Sequence, residues 1–139
     1  MQYTKAQPIV LVVARVLLSA IFLMSGVGKI FDFSGATAYM EANGMPLAAL
    51  FLVGAIVFEI VGGLFILLGY KAQIGALMLV IFLIPTTLIF HNFWGVAEEM
   101  QQAETIQFMK NLAIMGGLLM VLSFGPGSMS LEKKLTARK

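Results

Sequence analysis

Four apolar runs, each long enough to cross a bilayer, decide what this chain of 139 residues can fold into. They fall at about residues 8–30, 46–69, 72–94 and 108–124. A helix that crosses the hydrocarbon core takes about 20 predominantly apolar residues. Composition closes the soluble alternative. Hydrophobic residues make up 60% of the chain and charged residues 12%, and mean hydropathy is +0.95. A water-soluble domain of this size has too much surface for its volume to hide that apolar content. The expected fold is all-α: an integral membrane four-helix bundle in a single transmembrane domain, followed by a basic tail at 127–139.

The punctuation between the runs agrees. Pro8 suits a helix first turn. Asn43-Gly44-Met45-Pro46 supplies a stop and a new start, Gly95 a C-terminal position, and Gly125-Pro126-Gly127 a final break. The first run is not read as a cleaved signal peptide. It is too long, it carries Arg15, and Lys29 stands where a small-residue cleavage site would be. Short helices are expected in the outer connections. Ser34 is placed to cap one through about Ala42, and the acidic stretch at 95–105 suits another.

Basic residues set the orientation. With four spans, Lys5, Tyr70-Lys71 and the tail residues Lys133, Lys134, Arg138 and Lys139 share one side. Asp32, Glu41, Glu98, Glu99 and Glu104 fall on the other. Both termini are therefore expected in the cytoplasm. Phe93 and Trp94 fit an outer aromatic belt and Tyr70 an inner one.

Several chemistries are excluded or disfavoured by residue type. The chain has no cysteine, which removes disulfides, thiol redox chemistry and iron–sulfur ligation by this chain. One histidine and one intramembrane carboxylate cannot close a zinc shell, so no metal is expected, and bis-histidine haem would need two chains. Basic residues are scattered or terminal, so no nucleic-acid face is expected. No nucleotide-binding glycine motif, nucleophile elbow or catalytic triad occurs. The ten methionines are scattered and read as adaptable core packing.

The informative residues are the polar ones in the spans, because a central Arg or Asp costs about 2.5–3.5 kcal/mol on insertion scales and normally faces the bundle interior. Steps of three and four place Arg15, Ser19, Phe22, Gly26 and Lys29 on one stripe of the first helix, with Ser25 beside it. Ala55, Glu59, Gly62 and Ile66 do the same in the second. Thr87 and His91 share a face of the third, flanked by Thr86. Gln107 and Asn111 share a face of the fourth, beside Lys110. At about 1.5 Å per residue, Arg15 and Glu59 lie about 10 and 15 Å from the same membrane face, within reach of a long side chain. An Arg15–Glu59 ion pair is expected, with a functional role or one of fixing helix register.

A second cluster forms the candidate ligand site near the outer mouth: Ser25, Lys29, Thr87, His91, Gln107, Lys110 and Asn111. His91 has two readings. It donates to a ligand or carries a proton, or it is a histidine satisfied by Thr87 or a neighbouring helix. Lys29 and Lys110 either gather a polar or anionic ligand or snorkel to the interface. A faint repeat, Val61-Gly62-Gly63-Leu64 against Met115-Gly116-Gly117-Leu118, hints at two related hairpins. The glycines also have a packing reading, since small residues let membrane helices approach closely.

The same residues resemble the DoxX family of small four-helix bacterial membrane proteins, over about residues 14–123. The resemblance rests on Arg15 with Phe22-Leu23-Met24-Ser25-Gly26-Val27-Gly28-Lys29-Ile30, on Glu59-Ile60-Val61-Gly62-Gly63 and Leu67-Leu68-Gly69, on Phe90-His91-Asn92-Phe93-Trp94, and on Phe108-Met109-Lys110-Asn111-Leu112-Ala113. It implies a bacterial inner-membrane protein linked with membrane redox and oxidative-stress systems. The family name comes from a subunit associated with a thiosulfate:quinone oxidoreductase. The expected function is thus a redox-associated subunit with a polar intrabundle pocket for a quinone-like molecule. The expected partners are the lipid bilayer, a soluble or membrane redox protein, and a second copy in a homodimer. Transport of a small solute or proton, and a non-catalytic scaffold, are the competing readings.

Overall fold

The computed structural model describes residues 6–137 and is all-helical among them. Lys5, Arg138 and Lys139, used above for orientation, lie outside the described residues. The order is α1 (Gln7–Phe31), α2 (Phe33–Ala42), α3 (Ala48–Leu68), α4 (Ala72–Phe90), α5 (Glu98–Phe124) and α6 (Leu131–Thr136). Helices α1, α3, α4 and α5 are the four long and apolar enough to cross a membrane. They form a row: α1 packs on α3, α3 on α4 and α4 on α5, while α1 and α5 touch only lightly.

The distribution of apolar residues suits lipid and not water. Phe22, Ile66, Ala76, Leu79, Leu83 and Leu118 make the central core, and Met40, Ala48 and Leu52 a second one beneath α2. Large apolar side chains such as Leu17 and Met24 face outward, 70% and 75% exposed. The buried set of α1, Arg15, Ser19, Phe22 and Gly26, is the stripe read from spacing except for its last member, Lys29, which is only partly buried. The α3–α4 contact depends on glycine. A Cβ on Gly75 would lie 2.8 Å from the Gly62 carbonyl oxygen, so the two backbones touch where any side chain would hold them apart. The second Gly-Gly element is packed differently. Gly116 meets nothing within 4 Å and Gly117 only Leu18.

Three boundaries differ from the sequence reading. The third span ends at Phe90, not at Trp94. His91 is its C-cap, and Phe93 and Trp94 leave the helix to pack edge-on with each other and with Phe108 of α5. The acidic stretch at 98–107 is helical and continuous with the fourth span, so α5 projects beyond the apolar run. Helix α2 is capped by Asp32, whose carboxylate accepts from the Gly35 backbone N–H at 3.2 Å; Ser34 lies inside the helix. Pro85 is accommodated within α4, as membrane helices tolerate when neighbours re-satisfy the freed backbone.

The basic tail is not a free extension. Ser130 is buried and its hydroxyl caps α6 by accepting from the Lys133 N–H. The Glu132 N–H donates to the Gly69 carbonyl at 3.1 Å. This segment therefore closes the end of the bundle formed by the α3–α4 turn.

Candidate functional site

The expected Arg15–Glu59 ion pair is not formed. Glu59 pairs with Lys29 instead: the ammonium lies 2.9 Å from both carboxylate oxygens and 2.5 Å from the Ser25 hydroxyl. The Glu59 carboxylate is almost wholly enclosed, and the Lys29 side chain is 27% exposed. Level and lean explain the exchange. A Cβ built on Gly26 would sit 3.2 Å from the Glu59 Cβ, so these two positions are level. Arg15 is about 16 Å farther along α1. Side chains on a helix also lean toward its N-terminus. Lys29 leans back toward Glu59, Glu59 on the antiparallel α3 leans toward Lys29, and Arg15 leans away from both.

Arg15 goes to the opposite end of the bundle. Its Nη2 donates to the Met129 carbonyl at 2.7 Å. A Cβ on Gly69 would collide with Nη1. Glycine is thus required at Gly69 twice, for this approach and for its φ of 62°.

The other candidate residues pair off across α4 and α5. The Asn111 amide donates to the Thr87 hydroxyl at 3.1 Å, both groups being buried. Neither contacts Lys29 or Glu59 by hydrogen bond. His91 Nδ1 lies 2.9 Å from a Glu104 carboxylate oxygen. The histidine is therefore satisfied by a neighbouring helix, though by a carboxylate that had been read only as outer-loop charge. Lys110 donates to Gln107 on the exposed side of α5. Hence the seven residues do not converge on one point. Ser25 and Lys29 form one locus with Glu59, Thr87 and Asn111 a second, His91 a third, and Gln107 with Lys110 a fourth. No group of three or more His, Asp or Glu suited to a metal occurs among the described residues.

A cavity of about 340 Å³ opens beside the first locus. Ser25, Gly28 and Lys29 of α1 line it together with Asp32, Gly35, Ala36 and Tyr39. Sequence reasoning missed the α2 side of this wall. The available signal was the spacing Asp32, Gly35, Tyr39, a cap followed by positions three and four apart, which puts one face of the short helix over Lys29. Tyr39 is in turn stacked on Phe90 of α4, with ring centroids 5.6 Å apart.

Between this outer level and Arg15 lies an apolar layer: Phe22, Ile66, Leu79 and Leu118, all buried. The bundle therefore has two charged levels, one near each end, separated by hydrocarbon.

Comparison with known proteins agrees with the membrane architecture. The chain is 36% identical over 134 residues to inner membrane protein YqjF of Escherichia coli, covering 96% of this chain and 98% of that protein. It is 30% identical over 129 residues to inner membrane protein YphA of the same organism, covering 93% and 92%. It also matches a Surfeit locus protein 4 homolog of Drosophila melanogaster, 31% identical over 110 residues, covering 68% of this chain and 40% of that protein. No solved structure matches it. With four apolar spans and inner-membrane relatives along nearly its whole length, the protein is a multi-pass inner-membrane protein. The DoxX family model matches residues 10–92, and the chain belongs to the DoxX family.

Proposed function

We propose that the protein is a redox-associated membrane subunit that binds a quinone-class ring in the outer cavity between α1 and α2. The observation that carries this reading is the Lys29 ammonium at the cavity wall, held in place by Glu59 and Ser25. A cation fixed by an enclosed carboxylate is oriented in advance, so a ring oxygen meets a fixed positive charge and takes over one of the three N–H donors now shared between Ser25 and the two Glu59 oxygens. Tyr39 also lines this open cavity and, being stacked on Phe90, offers its remaining face or its edge. The volume suits a single ring, and the open side lets a hydrocarbon tail leave toward the exposed apolar side chains of α1, such as Met24 and Ile30. Transport through the bundle is less well supported, because the layer of Phe22, Ile66, Leu79 and Leu118 offers no polar path between the two charged levels.

Thermal unfolding of the detergent-solubilised protein with a short-chain ubiquinone analogue tests the reading. Saturating ligand raises Tm by several degrees, since about 2.7 kcal/mol is gained when ligand reaches ~100 times Kd. Gly28→Leu fills the cavity from a position whose Cβ meets nothing within 4 Å, so it abolishes the response without disturbing the Lys29–Glu59 pair. Lys110→Met responds like wild type. No shift in the wild type, or an undiminished shift in Gly28→Leu, overturns the proposal.

A further inference from the structure

The loose seam between α1 and α5 is a groove of about 1430 Å³, walled by Leu17, Leu18, Ile21, Ile114, Gly117 and Met120. One end is marked by Lys110; at the other stand Arg15 and the Gly125-Pro126-Gly127 turn. The span from Lys110 to Gly125 is about 22 Å of helix, against a hydrocarbon core of about 30 Å. A single acyl chain entering from the Arg15 end has room to lie wholly within it.

Arg15 is the second and independent feature. Only 5% of the residue is exposed. Its Nη2 reaches Met129, yet Nε and Nη1 are buried and donate to no group among the described residues. A guanidinium presents five donors in a planar fork suited to phosphate. Buried charges are ordinarily paired, and the intramembrane carboxylate of Glu59 is already taken by Lys29. What the arrangement lacks is an anion; Nη1 is turned toward Gly69, and Arg15 also borders the apolar channel, so a phosphate in the channel meets the guanidinium only once the side chain swings toward it.

We infer that the α1–α5 groove holds one membrane lipid of net negative charge, with its phosphate at Arg15 and an acyl chain along Leu18, Gly117 and Met120. The lipid belongs to the leaflet on the side of both termini. A net anion is favoured over a zwitterion because it neutralises the guanidinium without adding a cation. The turn at Gly125 and Gly127, with φ of 74° and 84°, forms the lip that admits the headgroup. This site is separate from the outer cavity of Lys29 and stands or falls independently of the quinone reading.

Native mass spectrometry of the full chain released from nanodiscs tests the inference, using equal amounts of phosphatidylglycerol and phosphatidylcholine. The wild type retains one phosphatidylglycerol per chain and little phosphatidylcholine. Arg15→Met retains roughly tenfold less or worse, the scale of one charge-assisted contact. Arg15→Lys keeps the charge and falls between them. Ala14→Phe blocks the groove from an exposed position that lines it, leaves Arg15 intact, and also loses the lipid, which guards against a folding defect in Arg15→Met. Gly28→Leu, which blocks the outer cavity, retains lipid like the wild type. Equal retention of the two lipids overturns the inference, as does wild-type retention by both Arg15→Met and Ala14→Phe. Displacement of the lipid by millimolar inorganic phosphate overturns it in favour of a soluble anion. A lipid-free dimer overturns it in favour of a second copy of the chain in the groove.

Discussion

At the residue scale the protein turns on where two cations find their partners. Lys29 has a carboxylate and a hydroxyl; Arg15 has one backbone carbonyl. Removing one member of an enclosed ion pair leaves the other uncompensated, whereas replacing both by apolar groups is often neutral or stabilising. Glu59→Gln is therefore expected to destabilise the protein toward the lower end of about 3–5 kcal/mol, since Lys29 keeps some access to the surface. The double variant Lys29→Met with Glu59→Met is expected to recover most of that loss. Unfolding titrations of both variants check the pair, and additive losses would refute the coupling. Glycines give a second contrast. Gly75→Ala places a methyl 2.8 Å from the Gly62 carbonyl oxygen and is expected to cost about 1–3 kcal/mol, as overpacking does. Gly116→Ala meets open space and is expected to stabilise α5 by about 0.5–1 kcal/mol, the intrinsic preference of a helix for alanine. Melting temperatures measured side by side separate them.

At the element scale the short helix α2 decides whether there is an outer cavity, because it carries half of the wall. Asp32 caps it by accepting from the Gly35 N–H. Asp32→Ala is expected to cost about 0.5–2 kcal/mol of helix stability and to speed amide hydrogen exchange along 33–42 while leaving α4 and α5 unchanged. The helix itself was legible from the sequence, since a run bounded by a cap residue and Asn43-Gly44 has few alternatives. Its cap was misread by two residues, because Asp32 and Ser34 are both competent caps and only the chain's exit from α1 selects between them. The end of α4 was misread for a related reason. Phe90 through Trp94 is apolar enough to continue a span, but the aromatic rings gain more by packing on Phe108 than by extending the helix into water.

At the scale of the whole molecule the four spans put the α3–α4 turn and the C-terminal segment at one end, and α2 and the start of α5 at the other. Lys71, Lys133 and Lys134 stand at the first end, which the positive-inside rule assigns to the cytoplasm. The absence of cysteine makes this simple to check with single introduced thiols. In intact cells, Asn43→Cys and Glu98→Cys are expected to react with a membrane-impermeant maleimide. Lys71→Cys and Thr136→Cys are expected to react only after permeabilisation, and the reverse pattern would invert the orientation.

The sequence by itself determined the membrane, the four helices and the inward stripes of α1 and α3, because apolar length and the cost of polar groups in lipid are local properties readable from spacing; on α5 only Asn111 of the polar face is buried. Tertiary structure alone decided who pairs with whom. Arg15 and Glu59 have opposite charges and similar depths when counted from the helix ends, yet packing sets Glu59 level with Gly26, about 16 Å from Arg15, and the opposite lean of side chains on antiparallel helices adds to that offset, sending Lys29 to Glu59 and Arg15 to the far end. The same holds for the α1–α5 groove, a space between elements distant in the chain and set by where two helices fail to touch; the outer cavity, lined wholly from residues 25–39, is the product of one local segment.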